Sequence, residues 1–184
     1  MENIKRNLLY GDKVYLRPIT DEDTPLIIKW RNNPKVRKNF VFRELFNEEI
    51  HNKWMREKVK TGEVVQFIIC EKVSQEEKWK TKERPVGTNF LQHIDKEKLE
   101  ADYGFLIGED DARGKGYGRE ATELAKQYAK EVMGLKSLTA KIIVGNTASE
   151  KSLKNAGLKI IELRRNVKCS DKTEVDMIFT KVFL

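Results

Sequence analysis

The chain has 184 residues, 39% of them hydrophobic and 35% charged, with a formal net charge of +7. That length fits one domain, residues 1–184, with a core of its own, and the composition excludes a disordered or fibrous chain. No apolar run approaches the roughly 18 residues of a membrane span, the start MENIKRNLLYGDKVYLRP lacks the apolar segment of a signal peptide, and no nucleic-acid-binding motif accompanies the dispersed basic residues. A cytoplasmic protein that reads neither membrane nor nucleic acid is expected. The surplus positive charge would steer acidic partners toward it in a salt-dependent way. Cys70 and Cys169 have no second Cys or His at ligand spacing, so neither a metal site nor a disulfide is expected.

In chain order, VYLRPIT (14–20) reads as a short strand ending at Thr20, which caps a helix whose apolar face carries Leu26, Ile27 and Trp30. Asn47 caps a second helix with Ile50 and Trp54 inward; His51 falls on its polar side. Three strands follow, at 63–73, 85–94 and 99–107, the first two joined by a charged connection at 74–85. His93 falls near a strand end, and both histidines read as structural.

Next comes EDDARGKGYGREA (109–121), then apolar residues at helical spacing from Ala121 to Met133, stopped by Gly134. LTAKIIV (138–144) is apolar enough for a strand buried on both faces. A short helix fits 146–157, and two strands, 158–167 and 173–183, close the chain. The class is α+β: a mixed, mostly antiparallel sheet with flanking helices and one central parallel βαβ unit.

That unit contains the glycine loop. A strand, a glycine-rich turn and a helix N-terminus form an anion site, because the first helical amides lack internal acceptors and the helix dipole is positive there. A P-loop is excluded, since Lys115 is followed by glycine and no hydroxyl is placed for magnesium. The dinucleotide pattern Gly116, Gly118, Ala121 fails because the next strand ends in Gly145 and Asn146 rather than an acid for ribose.

RGKGYG resembles the R/Q-x-x-G-x-G/A motif of the GNAT superfamily of acetyl-CoA-dependent N-acetyltransferases. NTASEKSLKNAGL is similar to its second motif, with Leu158 in place of the usual aromatic residue. YLRPITDEDTPLIIKWRNNPKV and Asp176 in EVDMIF resemble the branch that acetylates ribosomal-protein N-termini. The resemblance implies a sheet whose central parallel pair splays apart to admit coenzyme A. It implies that Arg113, Gly114, Lys115, Gly116, Tyr117, Gly118 and Arg119 surround the pyrophosphate. Phe105, Leu106 and Ile107 would bind the pantetheine like an added strand, and Asn146 would touch that arm or serve only as a helix cap.

Acetyl transfer needs a neutral amine, a stabilised oxyanion and departure of a thiolate. An N-terminal α-amine, with a pKa of about 7.7–8.0, needs only a modest base. Period two along 100–106 puts Asp102, Gly104 and Leu106 on one face, and the resemblance makes Asp102 the first candidate base, with Glu100 on the same face second. Leu153 stands where many relatives carry a tyrosine acid, which leaves Ser149 as candidate donor. The resemblance also implicates Trp30, Arg31 and Phe40 in acceptor binding; Phe40, Phe42 and Phe46 either line a pocket or pack a connection. The acceptor is expected to be a peptide N-terminus, of a ribosomal protein for instance. An amino sugar or aminoglycoside is the alternative, and a coenzyme-binding module without chemistry the third reading. No metal is expected. Oligomeric state stays open, a homodimer included.

Overall fold

Among residues 8–72 and 84–184, which the computed structural model describes, eight strands form one sheet in the order β1-β2-β3-β4-β5-β6-β8-β7. The strands are β1 (Leu9–Tyr10), β2 (Val14–Pro18), β3 (Val65–Glu71), β4 (Arg84–Asp95), β5 (Glu100–Ile107), β6 (Ser137–Ile143), β7 (Lys159–Lys168) and β8 (Glu174–Phe183). Five α-helices flank them: α1 (Thr24–Asn32), α2 (Pro34–Arg37), α3 (Glu48–Trp54), α4 (Tyr117–Glu131) and α5 (Thr147–Asn155). Every strand pair is antiparallel except β5 with β6, which α4 connects as expected. The connection expected at 74–85 falls almost wholly outside the described residues.

Alternation along β3 shows how the sheet is covered. Phe67 and Ile69 pack with Ala121 and Leu124 of α4, while Ile68 and Cys70 pack with Ile27, Trp30 and Met55 on the opposite side. Helices α4 and α5 therefore cover one face and α1–α3 the other. On the first face a second cluster joins Leu91, Tyr103, Ala125, Leu138 and Leu153, and the buried Tyr103 hydroxyl meets Thr122 Oγ1 at 3.0 Å. Leu153 is thus a core residue.

Three features depart from the sequence reading. The second helix continues through one π-helical turn, Met55–Val59, and seats His51 at 1% exposure rather than on a polar face. Neither ring nitrogen of His51 has a partner among the described residues. Burial favours its neutral form and pushes its pKa down, against the pull of Asp21 and Asp23. Strand β6 is not buried throughout: Lys141 breaks its apolar run and is exposed. Finally, β7 is an edge strand with Ile160, Ile161 and Leu163 all more than half exposed.

Candidate active site

The parallel pair holds together over three residues, Glu100 with Ser137, Ala101 with Leu138 and Asp102 with Thr139. Beyond them β5 stays on β4 as far as Ile107, while β6 stays on β8 as far as Ile143. The sheet therefore forks after Asp102 and leaves one edge of β5 without a neighbouring strand among the described residues. Which backbone groups line that edge follows from the ladder. The Gly108 amide donates to Val86 O at 2.9 Å, so alternation turns the groups of Leu106 and Gly104 toward β4 and those of Phe105 and Ile107 toward the fork. Leu106, expected to face the pantetheine with its neighbours, instead spends its backbone groups on β4 and its side chain in the core under α1.

At the open end of this edge lies the glycine loop. Gly114 and Gly116 have φ of 78° and 88°, and Gly116 is the N-cap of α4. These left-handed positions favour glycine, and they leave the amides of residues 114–119 without backbone acceptors among the described residues. The side chains contribute less charge than the letters imply. Arg113 turns back to Ile107 O at 3.3 Å and Asp110 at 2.8 Å, and Lys115 lies 3.5 Å from Glu71. The Tyr117 ring is buried and its hydroxyl donates to Glu71, which leaves only its amide for the loop. A cation that the motif did not contain stands beside them: Lys13, whose ammonium donates to Lys115 O at 3.2 Å. Glu120 accepts the Lys13 amide at 2.8 Å and so ties the β1–β2 turn to the first turn of α4.

The wall facing the fork comes from α4 and α5. A Cβ at Gly118 would sit 2.6 Å from the Phe105 ring and 3.3 Å from the Ser152 hydroxyl, so helix and strand approach this closely only with glycine there. Ser152 Oγ is buried without a partner among the described residues; sequence reading, fixed on Leu153 one place on, missed it. Asn146 caps α5, its side chain accepting the Ser149 amide at 3.3 Å. Ser149 is half-buried in that first turn.

At the closed end of the fork stands Asp102. Its carboxylate accepts a hydrogen bond from Thr139 Oγ1, has Lys141 Nζ at 2.6 Å, and has His93 Nδ1 at 2.9 Å. Burial alone would raise its pKa; the hydrogen bonds from Lys141, Thr139 and His93 outweigh that and hold the carboxyl below the usual range. The fork therefore ends in a firmly ionised carboxylate whose lone pairs are largely taken. Glu100 is spent on Lys181 at 2.8 Å. Neither Lys141 nor His93 could be linked to Asp102 from the sequence, because each comes from a different strand.

Of the three acceptor-side residues, Trp30 is corrected. It is fully buried, its indole N–H donates to Glu109 at 2.7 Å, and its ring fills the space over Gly108, so it belongs to the core. Arg31 is also buried. Its guanidinium stacks 3.6 Å from the Phe40 centroid and 4.6 Å from that of Phe46, and burial lowers its pKa to about 10. Phe40 and Phe46 thus pack this connection, while Phe42 stays 40% exposed. Arg43 bridges the same segment to the β7–β8 turn, with Nη1 2.7 Å from Thr173 Oγ1 and 3.4 Å from Asp171. The Arg43 amide adds a 2.8 Å bond to Ser170 Oγ. A trough of about 880 Å³ lies between α5 and the β7–β8 hairpin, with Ile142 of β6 among its lining residues and none from the glycine loop.

Among the described residues no cluster of His, Cys, Asp or Glu is placed to hold a metal ion, and no helix is long and apolar enough to cross a membrane. Comparison with known proteins agrees with this geometry. The family model of the acetyltransferase (GNAT) domain matches residues 13–159. An uncharacterized protein of Methanocaldococcus jannaschii is 30% identical over 149 residues, which are 80% of this chain but 28% of that protein's length. Alpha/beta-tubulin-N-acetyltransferase 9 of Drosophila melanogaster is 30% identical over 169 residues, 89% of this chain and 82% of that one. Among solved structures, a Vibrio cholerae spermidine N-acetyltransferase in complex with CoA and spermine superposes with a TM-score of 0.81. It shares 14% identity over 94% of this chain and 96% of that one, which speaks for the fold.

Proposed function

The chain belongs to the GNAT family of acetyltransferases, and from that premise we propose that it moves the acetyl group of acetyl-CoA onto a protein amine, an N-terminal α-amine above all. The observation that carries this reading is the fork. It is an unpaired strand edge running from an amide-rich glycine loop at one end to an ionised carboxylate at the other. The loop amides of residues 114–118, with Lys13 and Arg119 nearby, hold the pyrophosphate. The backbone groups of Phe105 and Ile107 take the pantetheine arm as a strand takes its neighbour, and Asn146 and Ser149 flank that arm. The thioester then arrives beside Asp102.

The amine nitrogen attacks the thioester carbonyl carbon, the C–S bond breaks, and the proton lost from nitrogen leaves through the groups around Asp102. With Leu153 in the core, the position that carries a tyrosine in many relatives supplies no acid to the departing thiolate. A thiol of pKa near 8.5 is an adequate leaving group without one. The tubulin-acetyltransferase relative supports a protein acceptor. The net charge of +7 supports an acidic one and disfavours a polycation.

A second reading, acetylation of an amino sugar or aminoglycoside, draws on the Arg43 bridge, which narrows the acceptor side between the aromatic segment and the hairpin turn. Coenzyme A release and product mass over a panel of peptides, aminoglycosides and amino sugars test the proposal. Acetylated peptide α-amines are the expected result. Transfer to the sugars alone would move the assignment to the second reading, and coenzyme binding without turnover would leave a binding module.

A further inference from the structure

We propose that His93 is the group that accepts the proton of the attacking amine, with Asp102 as the positioning residue that aims it. The proposal rests on the acetyl-transfer reading above and replaces Asp102 as the base. Three observations carry it.

The first is the backbone. Gln92 pairs directly with Asp102, so the two share a face of the sheet, and a regular strand would send His93 to the opposite face, under α4. Instead β4 shifts register between Gln92 and Asp95, and His93 has a φ of 50°, left-handed and uncommon for any residue but glycine. The bulge turns the imidazole back onto the Asp102 side. A bulge that re-aims one side chain, at a strained φ, is a device that recurs at active sites.

The second is the tautomer. Asp102 is ionised and can only accept, so in the 2.9 Å contact His93 Nδ1 is the donor. The lone pair of the neutral ring is then on Nε2, and with the side chain 70% exposed that nitrogen is open to an incoming amine.

The third is location. Asp102 is the last paired residue before the fork, so its partner imidazole stands at the point to which the unpaired edge of β5 leads. The charged groups around it are Asp102 on β5, Lys141 on β6, the Glu100–Lys181 pair between β5 and β8, and Asp95 at the end of its own strand with Lys98 in the turn that follows.

The proton balance closes within this site. Nitrogen bonds to the carbonyl carbon and the C–S bond breaks. The nitrogen's proton goes to His93 Nε2, giving an imidazolium held against Asp102, and that proton passes to the departing thiolate. One ring thus covers the acid role that Leu153 leaves empty.

The test uses His93→Gln and His93→Asn, the latter a residue that tolerates the left-handed backbone. Either change is expected to lower kcat by about 10²–10³-fold and to leave the KM for acetyl-CoA within about twofold. The acidic limb of the pH–rate profile is lost, and added imidazole restores part of the rate. Unchanged melting temperatures separate this from misfolding. Retention of kcat and of the acidic limb in both variants overturns the role of His93 alone. A wild-type protein that binds acetyl-CoA yet acetylates no amine overturns the transfer reading along with it.

Discussion

Asp23 gathers four donors onto one carboxylate where the acceptor-side helices begin. Arg17 approaches both of its oxygens at 2.7 Å, and the Thr20 amide and hydroxyl donate at 2.8 and 3.2 Å. Burial would push this carboxyl up, but Arg17 and Thr20 hold it below the ordinary range. A carboxyl with a depressed folded pKa contributes stability above its unfolded value of about 3.9, and that contribution is lost as pH falls through the folded value. Asp23→Asn, which removes the charge that faces the half-buried Arg17 guanidinium, should cost about 1–3 kcal/mol at neutral pH. Its stability should also fall less than the wild type's below pH of about 4. Urea titrations of both proteins from pH 3 to 7 check both statements. Thr20 was legible in the sequence as a helix start, and Asp102 was legible as a strand carboxylate. The partners of Asp102 were not. His93 reaches it through a bulge, which shifts the alternation that sequence reading relies on, and Lys141 through a parallel pairing nearly forty residues away.

At the scale of elements, the glycine turn and α4 were legible because their signals are local: glycines at left-handed positions, then an apolar face at helical spacing. What spacing could not tell was which loop cations are already engaged, since Glu71, Asp110 and Lys13 approach from distant segments. The aromatic run after α2 offered two readings, pocket or packing. The structure resolves it by placing the Arg31 guanidinium between Phe40 and Phe46. The contact of α4 with β5 yields a prediction. Gly118→Ala puts a Cβ 2.6 Å from the Phe105 ring and should cost about 1–3 kcal/mol as the helix is pushed off the strand. Acetyl-CoA affinity should fall more steeply than stability, because the same displacement moves the loop amides. Calorimetric titration beside thermal unfolding separates the two effects; equal losses would mean that the helix start does not shape the coenzyme site.

At the scale of the molecule, the mixed sheet with a central parallel pair followed from the order of elements, whereas the depth of the fork depends on where β5 and β6 cease to pair, which no local pattern encodes. A charge of +7 on so compact a surface adds a long-range term. Raising ionic strength shortens the Debye length from about 10 Å at 0.1 M to about 3 Å at 1 M. The KM of an acidic peptide acceptor should therefore rise with salt while that of a neutral peptide of the same length stays level. Parallel salt titrations of initial rate check this, and identical slopes would remove steering from the account.

The three-residue junction of β5 and β6 also has a temporal consequence. On the proposed reading, the bottom of the cleft is peptide edge until a pantetheine arm is in place, and an amine that came first would find no carbonyl to meet. Once the arm has filled the gap, donor and protein together form the platform for the acceptor. Catalysis on such a platform is sequential with a compulsory order, nucleotide thioester on first and nucleotide thiol off last. A dead-end acceptor analogue should accordingly inhibit competitively against the amine and uncompetitively against acetyl-CoA.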